Sequence, residues 1–449
     1  MDTKLSSKCK VIVSHTAYTG RHSNRDYVMR CKTFIFLVTL AFSAGLHAEP
    51  RFSASSLTLD AARQLLLEKN RELLAGRRAV EGLQADTVAA GQRPNPTLSV
   101  NAAALRLEGR NGNVLKAERM DVVARVDQLI ERGGKRELRT AVAEQGVEAG
   151  KHDLADLQRQ QLSALTSAYY DLVLAQEKER IYRESSELYD GTVKAAEFRL
   201  SAGDIAAADV ARIRVDALRS LNDLRQAAAD RQKAQAALAY MIGLEASAKD
   251  LNAVDGFPQT ALAEPAWDEN MLMQRPDMRA AESRIRQAEK QRDLARSLQT
   301  RDVTVGVEFE HAPNSDAKSA IGGGISIPLF TNYQYQGEIA RAEVNMTTAM
   351  EDQERVRAQA IGEVDQARAD LLSAGERAKR YDESVLEAAQ KSADAADFAY
   401  RHGAIGVMDL LDARRTLRAL QLEAVTTHAD YAKAEAAWRA ATTSETPMP

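Results

Sequence analysis

Asp409 and Asp412 stand three residues apart in a helix-forming stretch and so share one helix face. Two neighbouring carboxylates can attract cations and repel anions without any bond being made. An ordinary solvated helix face has the same spacing. Side chains for bond-making chemistry are not grouped for it. After position 50 the histidines are His152, His311, His402 and His428, with no HxxxH or HExxH spacing. No glycine-rich phosphate loop and no nucleophile elbow occurs. Met271, Met273, Met278, Met346 and Met350 are too dispersed for a soft-metal track and read as packing residues. The chain is therefore expected to have no catalytic residue, no cofactor and no bound metal.

The elements that would carry the two aspartates are written twice. Ala196-Glu197-Phe198 is followed by Gly203, Ile205 and Asp209; Ala396-Asp397-Phe398 is followed by Gly403, Ile405 and Asp409. Downstream, Ile213, Ala217, Ser220, Leu224, Ala227, Ala234 and Leu238 line up with Ala413, Leu417, Leu420, Ala424, Thr427, Ala434 and Trp438. Steps of four and three residues mark the seam of a left-handed coiled coil. The unit is too long for a solenoid repeat and predicts two large halves about a pseudo-symmetry axis.

Each half reads as helix, hairpin, very long helix, turn and long helix. The first helix is predicted over 56–92, with Leu59-Asp60-Ala61-Ala62 at its start and Arg93-Pro94-Asn95-Pro96 ending it. Strands are expected at 97–107 and 121–129 around a Gly/Asn loop at 109–113. In the second half Arg275-Pro276-Asp277 opens a helix to about Gln299, followed by strands at 302–310 and 320–329. The segments 134–200 and 337–400 lack proline, and helices of that length need partners along their whole extent. Leu154, Leu157, Gln161, Leu165, Ala168, Leu172 and Ala175 mark a further seam.

Alternation is clearest in the second hairpin. Val303, Val305, Val307 and Phe309 fall on one face, and Thr304, Gly306, Glu308 and Glu310 on the other. Ile321, Ile325, Ile327 and Leu329 likewise oppose Gly322, Gly324, Ser326 and Pro328. One apolar and one polar face suits a sheet over a soluble core or a barrel with lipid outside and water inside. In a barrel, Phe330, Tyr333 and Tyr335 would sit at its base near one membrane interface.

Of 449 residues only 5% are aromatic and 10 are proline, which favours extended helices. Met29-Arg30-Cys31-Lys32 and the apolar run 33–46 read as a late signal peptide, with cleavage expected after Ala48. Both cysteines, Cys9 and Cys31, precede that cut. Without the leader's seven basic and two acidic residues the formal charge moves from −4 to −9, which disfavours nucleic acid as a partner. The expected organisation is a leader over 1–48, a first repeat over 49–242, a linker over 243–274, a second repeat over 275–443 and a tail over 444–449. Gly256, Pro258, Pro265 and Trp267 suit an irregular belt against the outside of the helices.

An exported chain with two copies of helix, hairpin and long helical hairpin resembles the TolC-type outer-membrane efflux factors. Asn95-Pro96, Ile327-Pro328-Leu329-Phe330 and the two glycine-centred segments carry the resemblance, which spans residues 57–438. Glu131-Arg132-Gly133-Gly134-Lys135-Arg136 is similar to the segment of the heavy-metal, CzcC-like branch. There the paired glycines would turn the chain from strand to helix, and Lys135 and Arg136 would suit the membrane-proximal rim.

The resemblance implies a mainly α fold with β: a homotrimer whose three sets of four strands close one twelve-stranded outer-membrane barrel, continued by a periplasmic coiled-coil barrel. It implies contact with outer-membrane lipid, a periplasmic adaptor (a membrane fusion protein) and an inner-membrane pump of the resistance-nodulation-division class. The turns at Ser201-Ala202-Gly203-Asp204 and Arg401-His402-Gly403-Ala404 would form the tip where the adaptor docks, with Gly203, Ile205, Gly403 and Ile405 as its docking residues. Asp409 and Asp412 match inward-facing acidic rings at the tunnel mouth, six carboxylates in a trimer. Asp209 and Tyr400 match a hydrogen-bonded latch, although Ile405 replaces the family's basic latch residue. The implied activity is passive export of divalent cations such as cobalt, zinc or cadmium. Drug or organic-solute efflux is the alternative, and an adaptor or a structural coiled coil accounts for fewer of these features.

Overall fold

A computed structural model describes residues 56–103, 121–260 and 267–442, except 314, 315 and 317. The leader and its cleavage site, the loop expected at 109–113, the last residues of the first expected strand and the tail lie outside the described residues.

Helix α1, Leu59–Lys69, starts where the Thr58 hydroxyl accepts from the Ala61 N–H at 3.2 Å. Asn70 then divides what the sequence reads as one helix. Its backbone is extended, and its side-chain oxygen accepts from the N–H groups of Glu72 and Leu73, opening α2, Arg71–Ala90. The Asn70 amide also donates to the Met241 carbonyl at 3.0 Å, so the break is fastened to a distant helix. Strands β1, Thr97–Ala103, and β2, Asp121–Ile130, lead into α3, Lys135–Ser201. At 67 residues α3 is on the order of 100 Å long. It turns back into α4, Ala207–Ile242.

A belt follows, with 3-10 turns at Glu245–Asp250 and Glu269–Gln274 and a parallel bridge between Leu57 and Ala253. Helix α5, Pro276–Ser297, has proline in its first turn, where a missing N–H costs nothing. Strands β3, Val303–His311, and β4, Ser319–Ser326, come next. The last strand stops short of the expected residue 329, because Pro328 has no N–H to give a ladder. Helix α6, Gln336–Arg380, runs through a π-helical turn at Tyr381–Val385 into α7, Leu386–Arg401, which turns into α8, Val407–Thr442. The segment expected as one helix over 337–400 is therefore interrupted once.

The seams read from the sequence face inward. Ile213, Ser220, Ala227 and Leu238 are buried, as are Ala424, Thr427, Ala434 and Trp438. One core joins α1, α3, α4 and the belt around Leu66, Leu165, Tyr169, Leu172 and Leu238. The Tyr169 hydroxyl lies 2.9 Å from both the Leu57 carbonyl and an Asp255 carboxylate oxygen, which share its one proton, and burial pushes it well above its ordinary titration range. A second core joins α6 and α8 around Val364, Leu371, Tyr431 and Trp438. Beside it the buried Arg275 donates to Asp277, to Glu363 and to the Ala441 carbonyl, fixing the end of α8. Burial alone would raise the Asp277 carboxyl, but hydrogen bonds and charge from Arg275 hold it below the usual range.

Among the described residues the four strands form one antiparallel sheet in the order β1-β2-β3-β4, so the two hairpins meet at β2 and β3. Among the described residues no helix packs extensively against either face of this sheet. No helix among the described residues is long and apolar enough to cross a membrane.

Candidate functional site

The sheet sorts its side chains by chemistry. In register, Leu98, Val126 and Val307 share one row, and Val100, Ala124, Phe309 and Ile321 share another. These rows are open to the outside: Leu98 is 67% and Ile321 81% exposed, and Ile325, which pairs with Val305 in a further row of the same face, is 71% exposed. The opposite face alternates with them, row by row. Arg125 Nε is 2.9 Å from Asp127 Oδ1, and its Nη1 is 3.0 Å from Glu308 Oε2. The guanidinium lies across Gly306, where an added Cβ would come within 2.6 Å of it. An exposed apolar face opposite a paired polar one satisfies a wall between lipid and water. It does not satisfy a sheet on a soluble core, since among the described residues nothing covers the apolar side.

At the foot of the sheet the strand-to-helix junction takes two left-handed residues, Gly133 (φ 74°) and Gly134 (φ 69°). A Cβ on Gly133 would stand 2.7 Å from Thr300, whereas Gly134 faces open space. Lys135 turns inward rather than to a rim. It is buried, and its Nζ donates to the Thr300 carbonyl and to Asp302 Oδ1, both at 2.8 Å. Asp302 also accepts from the Arg132 N–H at 2.9 Å, so the junction of the first half is bolted to the strand approach of the second. Arg136 stays near the surface and pairs with Glu137 at 2.7 Å. At the matching junction of the second half Tyr335 (φ 63°) takes the left-handed position, its ring edge-on to Phe330 at 5.3 Å.

At the far end of the arms, Gly203 (φ 80°) and Gly403 (φ 74°) reverse the chain. The N–H of Asp204 returns to the Arg199 carbonyl at 2.9 Å, and that of Ala404 to Ala399 at 2.8 Å. The two turns lie together. Tyr189, Ala196, Val210, Ile213 and Leu411 form a small shared core, with Ile205 and Val407 against it. Arg199 stands over the Tyr400 ring at 5.4 Å, and Arg414 joins Asp397 and Thr192 at 2.7 and 2.8 Å. Ile405 is half-buried.

The structure thus gathers the tip residues but distributes the four gate candidates. Asp409 and Asp412 are exposed on α8. Asp409 Oδ2 accepts from the Gly406 N–H at 3.2 Å, half of a capping box that the sequence reading passed over. Asp412 has no hydrogen bond or ion pair among the described residues. Asp209 lies 3.8 Å from Arg212, and no hydrogen bond joins it to Tyr400 within the chain. Sequence reasoning also passed over the exposed rings of Phe198 (76%) and Phe398 (66%), although the echo repeats both. Among the described residues no group of three His, Cys, Asp or Glu side chains is placed to hold a metal ion.

The chain is 26% identical to the cobalt-zinc-cadmium resistance protein CzcC of Cupriavidus metallidurans, over 82% of this chain and 85% of that one. It is 23% identical to the pyoverdine export outer membrane protein OpmQ of Pseudomonas aeruginosa, over 82% and 81%. Its fold matches the CmeC outer membrane channel of Campylobacter jejuni with a TM-score of 0.72 at 18% identity, over 86% of this chain and 85% of that one. Residues 62–244 and 267–444 match the family described as outer membrane efflux protein. The chain belongs to that family, and it is an outer-membrane efflux channel protein whose helical part lies in the periplasm.

Proposed function

We propose that three copies close their sheets into one twelve-stranded barrel, and that the assembly is a passive duct for divalent heavy-metal cations. The observation that carries this reading is a four-stranded sheet with an uncovered apolar face and open edges at β1 and β4. Edge amides cannot stay unpaired in lipid, and pairing β4 of one copy with β1 of the next removes them. The arms then line a periplasmic tunnel. Their paired tips, with Gly203, Ile205, Gly403, Ile405 and the exposed Phe198 and Phe398, dock a periplasmic adaptor. That adaptor couples the duct to a resistance-nodulation-division pump, which supplies the energy. Asp409 and Asp412 narrow the mouth as an acidic gate, with Asp209 and Tyr400 beside them. Similarity to the cobalt-zinc-cadmium resistance protein supports a cation as cargo. Similarity to the pyoverdine exporter supports organic-solute efflux as the second reading.

Planar-bilayer recording of the purified protein tests the duct. Discrete conductance steps with a preference for cations are expected, and Asp409→Ala/Asp412→Ala lowers that preference about twofold or more while the steps persist. Absence of conductance refutes the duct, and unchanged selectivity refutes the acidic gate. For the cargo, a deletion strain should lose growth on graded cobalt, zinc or cadmium salts. Sensitivity confined to drugs favours the second reading.

A further inference from the structure

We propose that the π-turn at Tyr381–Val385 is a pH-responsive hinge in the second arm, clamped to α8 by His428. In this turn the Leu386 N–H reaches back five residues to the Tyr381 carbonyl, so one extra residue is accommodated in an otherwise continuous helix. Such insertions loosen the regular ladder and mark places where a helix can shift. The first half, 200 residues earlier, has none: residues 181–185 are regular α-helix with Ile181 buried, and Ala228 stands where the second half has His428.

Two side-chain contacts hold the turn to α8. The Tyr381 hydroxyl donates to Glu423 Oε2 at 2.5 Å, and His428 Nε2 lies 3.0 Å from Asp382 Oδ1. The imidazole is only 18% exposed, and the belt fixes it from the other side. Phe257 stacks on it at 5.9 Å, with Tyr170 of α3 stacked behind Phe257 at 6.2 Å. The ring is thus the last member of a stack running from the first arm through the belt to the second.

The charged groups around this ring are few. From the α6 side come Asp382 and, lining the same recess, Glu383 and Lys379, which lie 3.6 Å from each other. From the belt come Phe257, Pro258, Gln259 and Thr260, none of which titrates. On α8 itself Glu423 is taken by Tyr381, and Asp430 lies 3.7 Å from Arg377. The recess, about 550 Å³, leaves the turn room to move.

Histidine is the side chain that ordinarily changes charge near neutrality. A protonated imidazole holds Asp382 as an ion pair and the clamp is tight, whereas the neutral ring offers only a hydrogen bond. As pH rises the clamp loosens, and α7 is freed to swing away from α8. The hinge is read from the helix alone; only its effect on a tunnel mouth rests on the duct reading.

Hydrogen exchange of the full-length protein in detergent at pH 5.5 and 8, corrected for intrinsic rates, tests the hinge without requiring conductance. Protection of residues 386–401, referenced to residues 186–200 of α3, should be about three- to fivefold higher at the acid pH. His428→Gln and Asp382→Asn should each abolish that difference while leaving α3 protection unchanged. Equal referenced protection in the wild type at both pH values, or a pH difference retained in both variants, overturns the proposal.

Discussion

The two halves of the molecule share an element order and differ in how they are held. In the first, α3 is unbroken over 67 residues, and only four of the sixteen buried members of its core are alanine. In the second, the corresponding arm is broken at the π-turn, and six of the eleven buried members of its core are alanine. Each alanine in place of leucine forgoes a few buried methyl and methylene groups, each worth about 0.8 kcal/mol. The clasps differ too. Asn70 and Tyr169 fasten the first half with neutral side chains, onto the Met241 and Leu57 carbonyls and Asp255, whereas a buried cation, Arg275, fastens the second onto Asp277, Glu363 and the Ala441 carbonyl. Similar sequences have thus built a strut and a more yielding arm beside it. Local opening should begin in the second.

Three substitutions sharpen or break that contrast. Arg275→Ala takes from Asp277 its main partner, leaving it the Met278 N–H and Arg159 at 4.0 Å, and should destabilise the second half by about 3 kcal/mol. Limited proteolysis should then cut within α6–α8 well before α3; equal susceptibility of both arms would remove the contrast. The same clasp sets a pH dependence. Asp277 titrates below its ordinary range, so its contribution is present above that range and is lost as pH falls through the lowered value. Acid melts should loosen the second core first, monitored by fluorescence of Trp438.

Smaller effects are expected at the junctions. Gly133→Ala combines a left-handed backbone with a 2.7 Å approach to Thr300 and should cost about 2–3 kcal/mol. Gly134→Ala meets open space and should cost only about 1 kcal/mol, since Tyr335 already bears a side chain in the matching conformation. Thermal melts of the two variants should differ in that order; equal losses would show that Thr300 yields freely.

Much of this architecture could be read from the residues. Period-two alternation from Val303 to Phe309 and the 3.5-residue seams each report a local environment, and the echo reports the pseudo-symmetry. What escaped reading depends on partners remote in sequence. Arg125 meets Glu308 across 183 residues only once β2 and β3 are in register. Lys135 reads as a rim cation in the sequence, because its partner Asp302 lies 167 residues away. Asn70 lies within a strongly helical run, and its role comes from Met241. The π-turn leaves little trace, because an extra residue in a helix shifts the seam by less than one turn. Asp409 has a local role that its spacing to Asp412 does not announce: it caps the start of α8 through the Gly406 N–H.

The central claim is that open sheet edges from separate copies pair to close a barrel. Cysteines at Ser326 of β4 and at Thr97 or Ser99 of β1, on one polar face and in a chain with Cys9 and Cys31 replaced by serine, test it under oxidation in outer membranes. Bands of two and three linked chains with nothing larger are predicted. Single chains alone, or a ladder that continues past three, would contradict the account.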